Sequence, residues 1–279
     1  MCKNNLLSKN TLGSSKDKGN RHIVCLSGGI ASASMAKWVK DNISGDIIYY
    51  FNDVKWEHPD LYRFLKDLER VLNIKITYDN NGMNPEEIFY KNKMLGSNRT
   101  PLCSKILKAE MLQDFVKEGD TLYFGIDTQE IHRASRITPI YERFGCKCVF
   151  PLIDNFIFKD KAFQIINDLG IEIPQMYKDG FKHNNCSGGC VRAGRNQWLS
   201  LLRIYPKVYA DRERIELEFT IWNNKRRLLK DPKYKTRDYT FMKEIGLREL
   251  REENEKGIDI NFINDDFVGE CIGICGSMN

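Results

Sequence analysis

No apolar run in this sequence approaches the about 18 residues that a membrane-crossing helix requires. Met1 to Asn20 also lacks the apolar stretch of an export signal. The expected compartment is therefore the cytoplasm, with no membrane partner. No internal repeat is present, which argues against a repeat architecture. Histidine is scarce, four in 279 residues, and His58, His132 and His183 do not combine with the cysteines into a metal motif. An excess of one charge is nearly missing too. Forty-three Lys and Arg against 38 Asp and Glu leave +5, too little by itself to name a partner.

What is present is the composition of a folded chain. Hydrophobic residues make up 42% and charged residues 29%, with 15 Phe, 12 Tyr and 4 Trp, well outside the disordered range. The length suits one large α/β domain or a domain with an appendage, since domains hold about 100–200 residues. Nine cysteines without an export signal point to thiol or metal chemistry rather than a disulfide framework.

Residues 1–20 are rich in Asn, Ser, Lys and Gly and are expected to form a flexible arm. From His22 to Leu26 a short apolar run breaks into Ser27-Gly28-Gly29, after which Ala31, Met35, Ala36 and Val39 recur at helical spacing. A second strand, Asp46 to Phe51, ends in Asn52-Asp53. Pro59 to Leu72 reads as a helix with Leu61, Phe64, Leu65, Leu68 and Leu72 on one face, and Ile74 to Tyr78 as a third strand. A helix near 104–117, a strand at 121–125, a strand near 148–151 and a helix near 161–169 follow. The expected fold is α/β, a doubly wound and mainly parallel sheet over residues 21–170, where ligands collect at the carboxyl ends of strands. Residues 171–279 are expected to form a helical, cysteine-containing C-terminal region, with a long amphipathic helix from about Pro206 to Leu229.

Ser27 to Ser32 connects a strand to a helix, the context that gives a glycine turn meaning. Gly28 and Gly29 are expected to take positive φ and let the backbone approach a phosphate, with the amides of Ala31 to Ser34 pointing at it. Ser27 and Ser32 would add hydroxyl donors. The alternative is a tight strand-to-helix turn without a ligand.

S-G-G-x-x-S after a first strand is similar to the pyrophosphate-binding PP-loop of the adenine nucleotide α-hydrolase-like superfamily. Asn52-Asp53 with Glu57 to Tyr62 resembles the phosphoadenosine phosphosulfate reductase branch of it, as do Arg99, Cys103 and Lys108. So do Gly125, Asp127, Glu130, Arg133 and Arg136, and then Phe150-Pro151-Leu152. In order, these segments cover about Arg21 to Leu152. The resemblance implies an enzyme that binds ATP or an adenylyl-sulfate nucleotide for sulfur transfer, reduction or adenylation, with a sulfur- or electron-donor protein as a partner. If ATP is cleaved it implies Mg²⁺, with Asp53 as a helper carboxylate. Ala31 departs from the pattern, standing where the superfamily often has Asp. Phosphate binding survives that change because backbone N–H groups make most of a phosphate nest. Arg133 and Arg136, three apart, would reach the same side of a helix and grip an anion; the alternative is an ion pair of this segment with Glu130.

Cys186-Ser-Gly-Gly-Cys190 and Cys271-Ile-Gly-Ile-Cys275 share one spacing, and their four thiolates suit tetrahedral Zn²⁺ or a [4Fe–4S] cluster. The alternative is a set of free thiols. The resemblance adds a competing role, because Glu270-Cys271 is similar to the C-terminal Glu-Cys-Gly nucleophile of assimilatory reductases. Ile272 before Gly273, and Cys275 in place of histidine, depart from that motif. Some members hold a cluster with a cysteine pair near Cys103 and a later pair near Cys186 and Cys190; here Cys103 is single. Cys103 is expected at a helix N-terminus after Pro101, where the dipole, Lys105 and Lys108 favour a thiolate, so it is a candidate catalytic thiol. Its alternative is helix-start packing. Cys2, Cys25, Cys146 and Cys148 read as incidental or structural.

Lys225, Arg226, Arg227, Lys230, Lys233, Lys235 and Arg237, with Tyr234 and Tyr239, form a strongly basic stretch. A nucleic-acid phosphate backbone is its candidate partner. A solvated helix end is the alternative. These features leave a second class open beside the enzyme, a non-catalytic nucleotide- or nucleic-acid-binding module with a structural metal site.

Overall fold

A computed structural model describes residues 20–257 except Asn81. Strand β1 (His22–Leu26) buries Ile23 and Cys25 in one core and Val24 and Leu26 in another, as the alternation of a central parallel strand requires. Helix α1 (Ile30–Asn42) follows the glycine turn, and β2 (Ile47–Asn52) runs beside β1 in parallel register, His22 opposite Ile47. Helix α2 (Pro59–Leu72) starts with Pro59, which suits a first turn because its missing N–H would lack an intrahelical acceptor. His58 Nδ1 accepts the Asp60 N–H at the cap. The buried stripe of α2 is the predicted set of Leu61, Phe64, Leu65, Leu68 and Leu72.

Strand β3 (Ile76–Asp79) begins two residues later than its apolar pattern suggests. The short helix α3 (Pro85–Asn92) is closed by a reciprocal cap of Asn84 and Glu87. Helix α4 is built of three abutting pieces, Leu102–Ser104, a π-helical Lys105–Glu110 and Met111–Phe115. Strand β4 (Thr121–Phe124), α5 (Ile131–Glu142), β5 (Lys147–Val149) and α6 (Lys159–Asp168) complete the sheet and its cover.

The five strands are all parallel and run in the order β3-β2-β1-β4-β5. The chain builds outward from β1 through β2 to β3, then returns to place β4 on the other side of β1. That reversal opens a crevice at the carboxyl ends of β1 and β4, the place where doubly wound sheets bind ligands. Residues of α1, α2 and α6 cover one face of the sheet, while Leu112, Ile137 and Tyr141 cover the other.

A third core lies beside the sheet. Val54, Ile88, Phe89, Leu102, Cys103 and Leu107 share it with Cys186, Cys190, Trp198, Tyr209, Phe219, Phe241 and Leu250. It therefore spans residue 170. Helices α7 (Arg195–Ile204), α8 (Pro206–Leu228) and α9 (Leu247–Glu255) supply much of it. The buried residues of α8 are Tyr209, Arg212, Ile215, Glu216, Phe219 and Asn223. Half of that stripe is polar, so the helix is not the simple amphipath that its spacing suggests. No described helix is long and apolar enough to cross a membrane.

Candidate active site

The loop after β1 is shaped by two glycines and two serines. Gly28 has φ +79°, and a Cβ there would lie 2.6 Å from Leu61 Cδ1, so both conformation and space require glycine. Gly29 differs from the expectation: its φ of −93° and ψ of 165° are extended, the ordinary geometry of a helix N-cap. Ser32 Oγ donates to the Gly29 carbonyl at 2.9 Å and accepts from the Ser27 N–H at 3.1 Å and the Ser27 hydroxyl at 3.0 Å. Ser27 Oγ in turn accepts the Gly29 N–H at 3.3 Å. Both hydroxyl protons are thus engaged inside the loop, and the serines act as its internal frame.

The donors left to a ligand are backbone amides. Gly29 caps α1, so the N–H groups of Ile30, Ala31 and Ser32 lack intrahelical acceptors, and no carboxylate occupies this first turn. The Ile30 N–H donates to the Tyr177 hydroxyl at 3.3 Å. Gly125, at the end of β4, lets the sheet approach this turn, since a Cβ on it would lie 2.5 Å from Ser32 Cα. The arrangement is an anion-ready helix terminus at the crevice between β1 and β4.

The cysteine knuckle is tied to this loop. Asn184 Nδ2 donates to the Gly28 carbonyl at 2.9 Å. Cys186 and Ser187 have φ of 48° and 51° and Gly188 has φ +82°, three consecutive left-handed residues that fold Cys186 back toward Cys190. The Cys186 N–H donates to Glu57 Oε2 at 2.5 Å, and the Ser187 hydroxyl donates to the Trp56 carbonyl at 3.0 Å. Glu57 Oε1 faces Lys108 Nζ at 3.6 Å, both side chains nearly inaccessible. Lys108 lies in the π-helical turn of α4, a local irregularity of a kind frequent at functional sites. Arg212 lies 3.6 Å over the Trp56 ring, and its Nε donates to the Gly189 carbonyl at 3.4 Å. The amide of Asn185 is buried with neither its oxygen nor its nitrogen hydrogen-bonded.

Electrostatics follow from this crowding. A hydrogen bond with Cys190, then burial and the Glu57 charge, push the Cys186 thiol well above its ordinary range. Without a metal, Cys186 is therefore a thiol at neutral pH. Cys103 is the second residue of α4 after Pro101, as expected, and it is buried in the same core as Cys186 and Cys190. Cys271 and Cys275 lie outside the described residues. Among the described residues no group of three or more His, Cys, Asp or Glu side chains is placed to hold a metal. The described part of the proposed four-thiolate set is the Cys186–Cys190 pair.

The remaining predicted residues are dispersed. Asp53 follows β2, and its Oδ1 accepts from the Tyr62 hydroxyl at 2.7 Å and from the Lys55 N–H at 2.9 Å. Arg133 is buried and paired with Glu130 at 2.6 Å, the alternative that its spacing allowed, whereas Arg136 is exposed on the same helix. The i,i+3 spacing does not give the two guanidinium groups one environment. Cys146 and Cys25 are buried in the core beneath α5, with Cys148 packed against it, as structural cysteines would be. Tyr177, Arg212 and the Trp56 carbonyl were not expected from sequence. No spacing rule marks Tyr177, but Asn184-Asn185 stands directly before the knuckle and is the one signal that a polar tether could have left.

Compared with known families, residues 21–192 match the phosphoadenosine phosphosulfate reductase domain, more than half of the chain. The protein belongs to that family. It is a PP-loop protein of the sulfonucleotide-related class. No curated protein and no solved structure matches the chain.

Proposed function

We propose that this protein binds the phosphate of an adenine nucleotide on the first turn of α1 and uses it for thiol-based sulfur chemistry, an adenylyl sulfate being the favoured ligand. One observation carries the reading: the loop that leads into α1, at the crevice of the sheet, is hydrogen-bonded at its Gly28 carbonyl to Asn184, which stands directly before the cysteine knuckle. This tether supports a single site for nucleotide and sulfur chemistry. Ala31 favours adenylyl sulfate over ATP, because the turn offers amides to an anion but no carboxylate to a phosphate-bound cation. Asp53, after the neighbouring strand, is the carboxylate available to Mg²⁺ if ATP is bound instead.

In the reductive reaction, a thiol attacks the sulfur, the sulfur–oxygen bond breaks, and the nucleotide phosphate leaves with the electron pair. A second thiol then releases sulfite and leaves a disulfide. The raised Cys186 thiol is a poor first nucleophile. That role falls to Cys271, with Cys103 as the candidate buried thiol, and a donor protein restores the thiols. The competing role for Cys271 is that of a ligand: Cys186 and Cys190 would then hold Zn²⁺ or an iron–sulfur cluster with Cys271 and Cys275, such a group would keep the thiols ionised, and Cys271 would not be the nucleophile.

The test is product analysis with purified full-length protein. Sulfite release from adenylyl sulfate with a thiol donor, lost in Cys271→Ser, is the expected result. Pyrophosphate release from ATP would move the reaction to adenylation. Tight nucleotide binding with neither product would favour the non-catalytic module, to which Ala31 also lends support.

A further inference from the structure

The end of α8 concentrates the charge of the whole molecule. From Lys225 to Arg237 the chain carries seven cations and one carboxylate, Asp231, so this short segment holds more positive charge than the +5 of all 279 residues. The remainder is close to neutral. Earlier on the same helix the arginines are answered by acids: Arg212 by Asp211, and Arg214 by Glu86, Asp211 and Glu218. No salt bridge among the described residues answers Lys225, Arg227, Lys230, Lys233, Lys235 or Arg237, and all six are exposed.

The segment is also folded rather than loose. Beyond α8 the chain doubles back along it. Asn224 Nδ2 donates to the Arg237 carbonyl at 2.9 Å and its Oδ1 accepts the Arg237 N–H at 3.3 Å. One turn earlier, Thr220 Oγ1 accepts the Tyr239 N–H at 3.0 Å and donates to the Tyr239 carbonyl at 3.2 Å. Arg237 is thus held beside the last turns of the helix that carries Lys225 and Arg227, with Lys230, Lys233 and Lys235 in the turn between them. Two tyrosines pin the guanidinium groups: Arg227 lies 5.3 Å over Tyr234 and Arg237 lies 4.8 Å over Tyr239, with the two hydroxyls hydrogen-bonded at 2.9 Å. A guanidinium resting on a ring has its N–H edge pre-oriented outward, with less rotamer freedom to give up on meeting an anion.

We propose that this folded basic ridge is a binding surface for the phosphate backbone of a single-stranded nucleic acid. A helix end needs one or two cations to complement its dipole, not seven. The exposed apolar residues of α8 and its end are Leu217, Ile221, Leu228 and Leu229, and the seven cations outnumber them, so the charge of a phosphate backbone is the better match and a membrane surface is the competing outcome of the test. Along α8 the ridge begins about 20 Å from Arg212, which rests on the cysteine knuckle, at 1.5 Å rise per residue. The proposal does not rest on the nucleotide reading.

The experiment is fluorescence anisotropy of full-length protein with a labelled single-stranded RNA of about 20 nucleotides, across a salt series. Lys230, Lys233 and Lys235 are replaced together by Gln, and an equal charge change is made elsewhere with Lys40, Lys66 and Lys75 to Gln. The ridge variant should bind about ten-fold more weakly at moderate salt, with the slope of log K against log salt reduced by about 2, at about 0.7 for each phosphate no longer neutralised. The control variant should keep the wild-type slope, and both should keep the wild-type melting temperature. A DNA strand of the same sequence behaving like the RNA is expected if the backbone is what the ridge grips. Equal weakening in both variants, no RNA binding by the wild type, or binding to phosphatidylserine vesicles in place of RNA would overturn the proposal. Retention of nucleotide binding by the ridge variant separates this surface from the crevice.

Discussion

Tyr177 is the residue whose position says most about the loop. Its hydroxyl occupies the Ile30 N–H, one of the three first-turn amides that an anion would need. Its ring is held by Phe163, with centroids 5.2 Å apart, and by Lys159, 5.8 Å above it. Tyr177→Phe keeps those ring interactions and frees the amide. Adenylyl sulfate affinity should rise about two- to ten-fold in titration calorimetry, the worth of one neutral hydrogen bond that no longer competes. Unchanged or weaker binding would contradict the assignment of that amide to the ligand. At this scale the sequence is partly legible. Gly28 and the loop serines are readable as the turn, but the inward engagement of both hydroxyls is not, because a serine's hydrogen-bond partner depends on a loop path that spacing does not specify.

At the scale of elements, α8 organises the C-terminal region through one buried carboxylate. Glu216 Oε1 accepts the Phe241 N–H at 2.5 Å and Oε2 accepts the Leu247 N–H at 2.7 Å, pinning the segment that leads into α9. Burial outweighs those two donors and pushes the carboxyl up from 4.5 to about 7. A raised acid binds its proton more tightly in the folded state. Its stabilisation is therefore complete below pH 4.5 and is lost as pH rises through about 7, by up to about 3 kcal/mol. Glu216→Gln loses one acceptor and should be less stable than wild type at pH 5, but urea unfolding should show the gap narrowing by pH 8. A constant gap would show that Glu216 does not titrate in this range. The elements themselves are largely readable. Strand β1 and α2 match their predicted ends because Gly-Gly, Pro59 and the leucine stripe act locally. The π-helical turn of α4 is not readable, since the segment carries an ordinary helical pattern; Lys108, which faces Glu57, lies within it. Helix α3 is too short for its apolar period to announce it, although Asn84, Pro85 and Glu87 spell its cap.

The whole molecule joins three things along one chain: an anion-ready helix terminus at the sheet's crevice, a cysteine knuckle hydrogen-bonded to it, and a basic ridge at the far end of α8. Alternating strands and helices make the doubly wound sheet legible, because each apolar period reports a face that the sheet must bury. The shared third core is not legible, since it is assembled from Val54 to Leu107 and from Met176 to Leu250, segments far apart in sequence. The central claim is that the first turn of α1 receives a nucleotide phosphate through its amides alone. The measurement that tests it most directly is titration calorimetry of adenylyl sulfate, with adenosine as the phosphate-free comparison, in wild type and Ala31→Asp without divalent cations. An acid at this turn suits the helix but repels the ligand. Wild type should bind adenylyl sulfate and not adenosine, and Ala31→Asp should weaken binding by about ten-fold or more while keeping the fold. Equal binding of adenosine, or an Ala31→Asp affinity that matches wild type, would contradict the account.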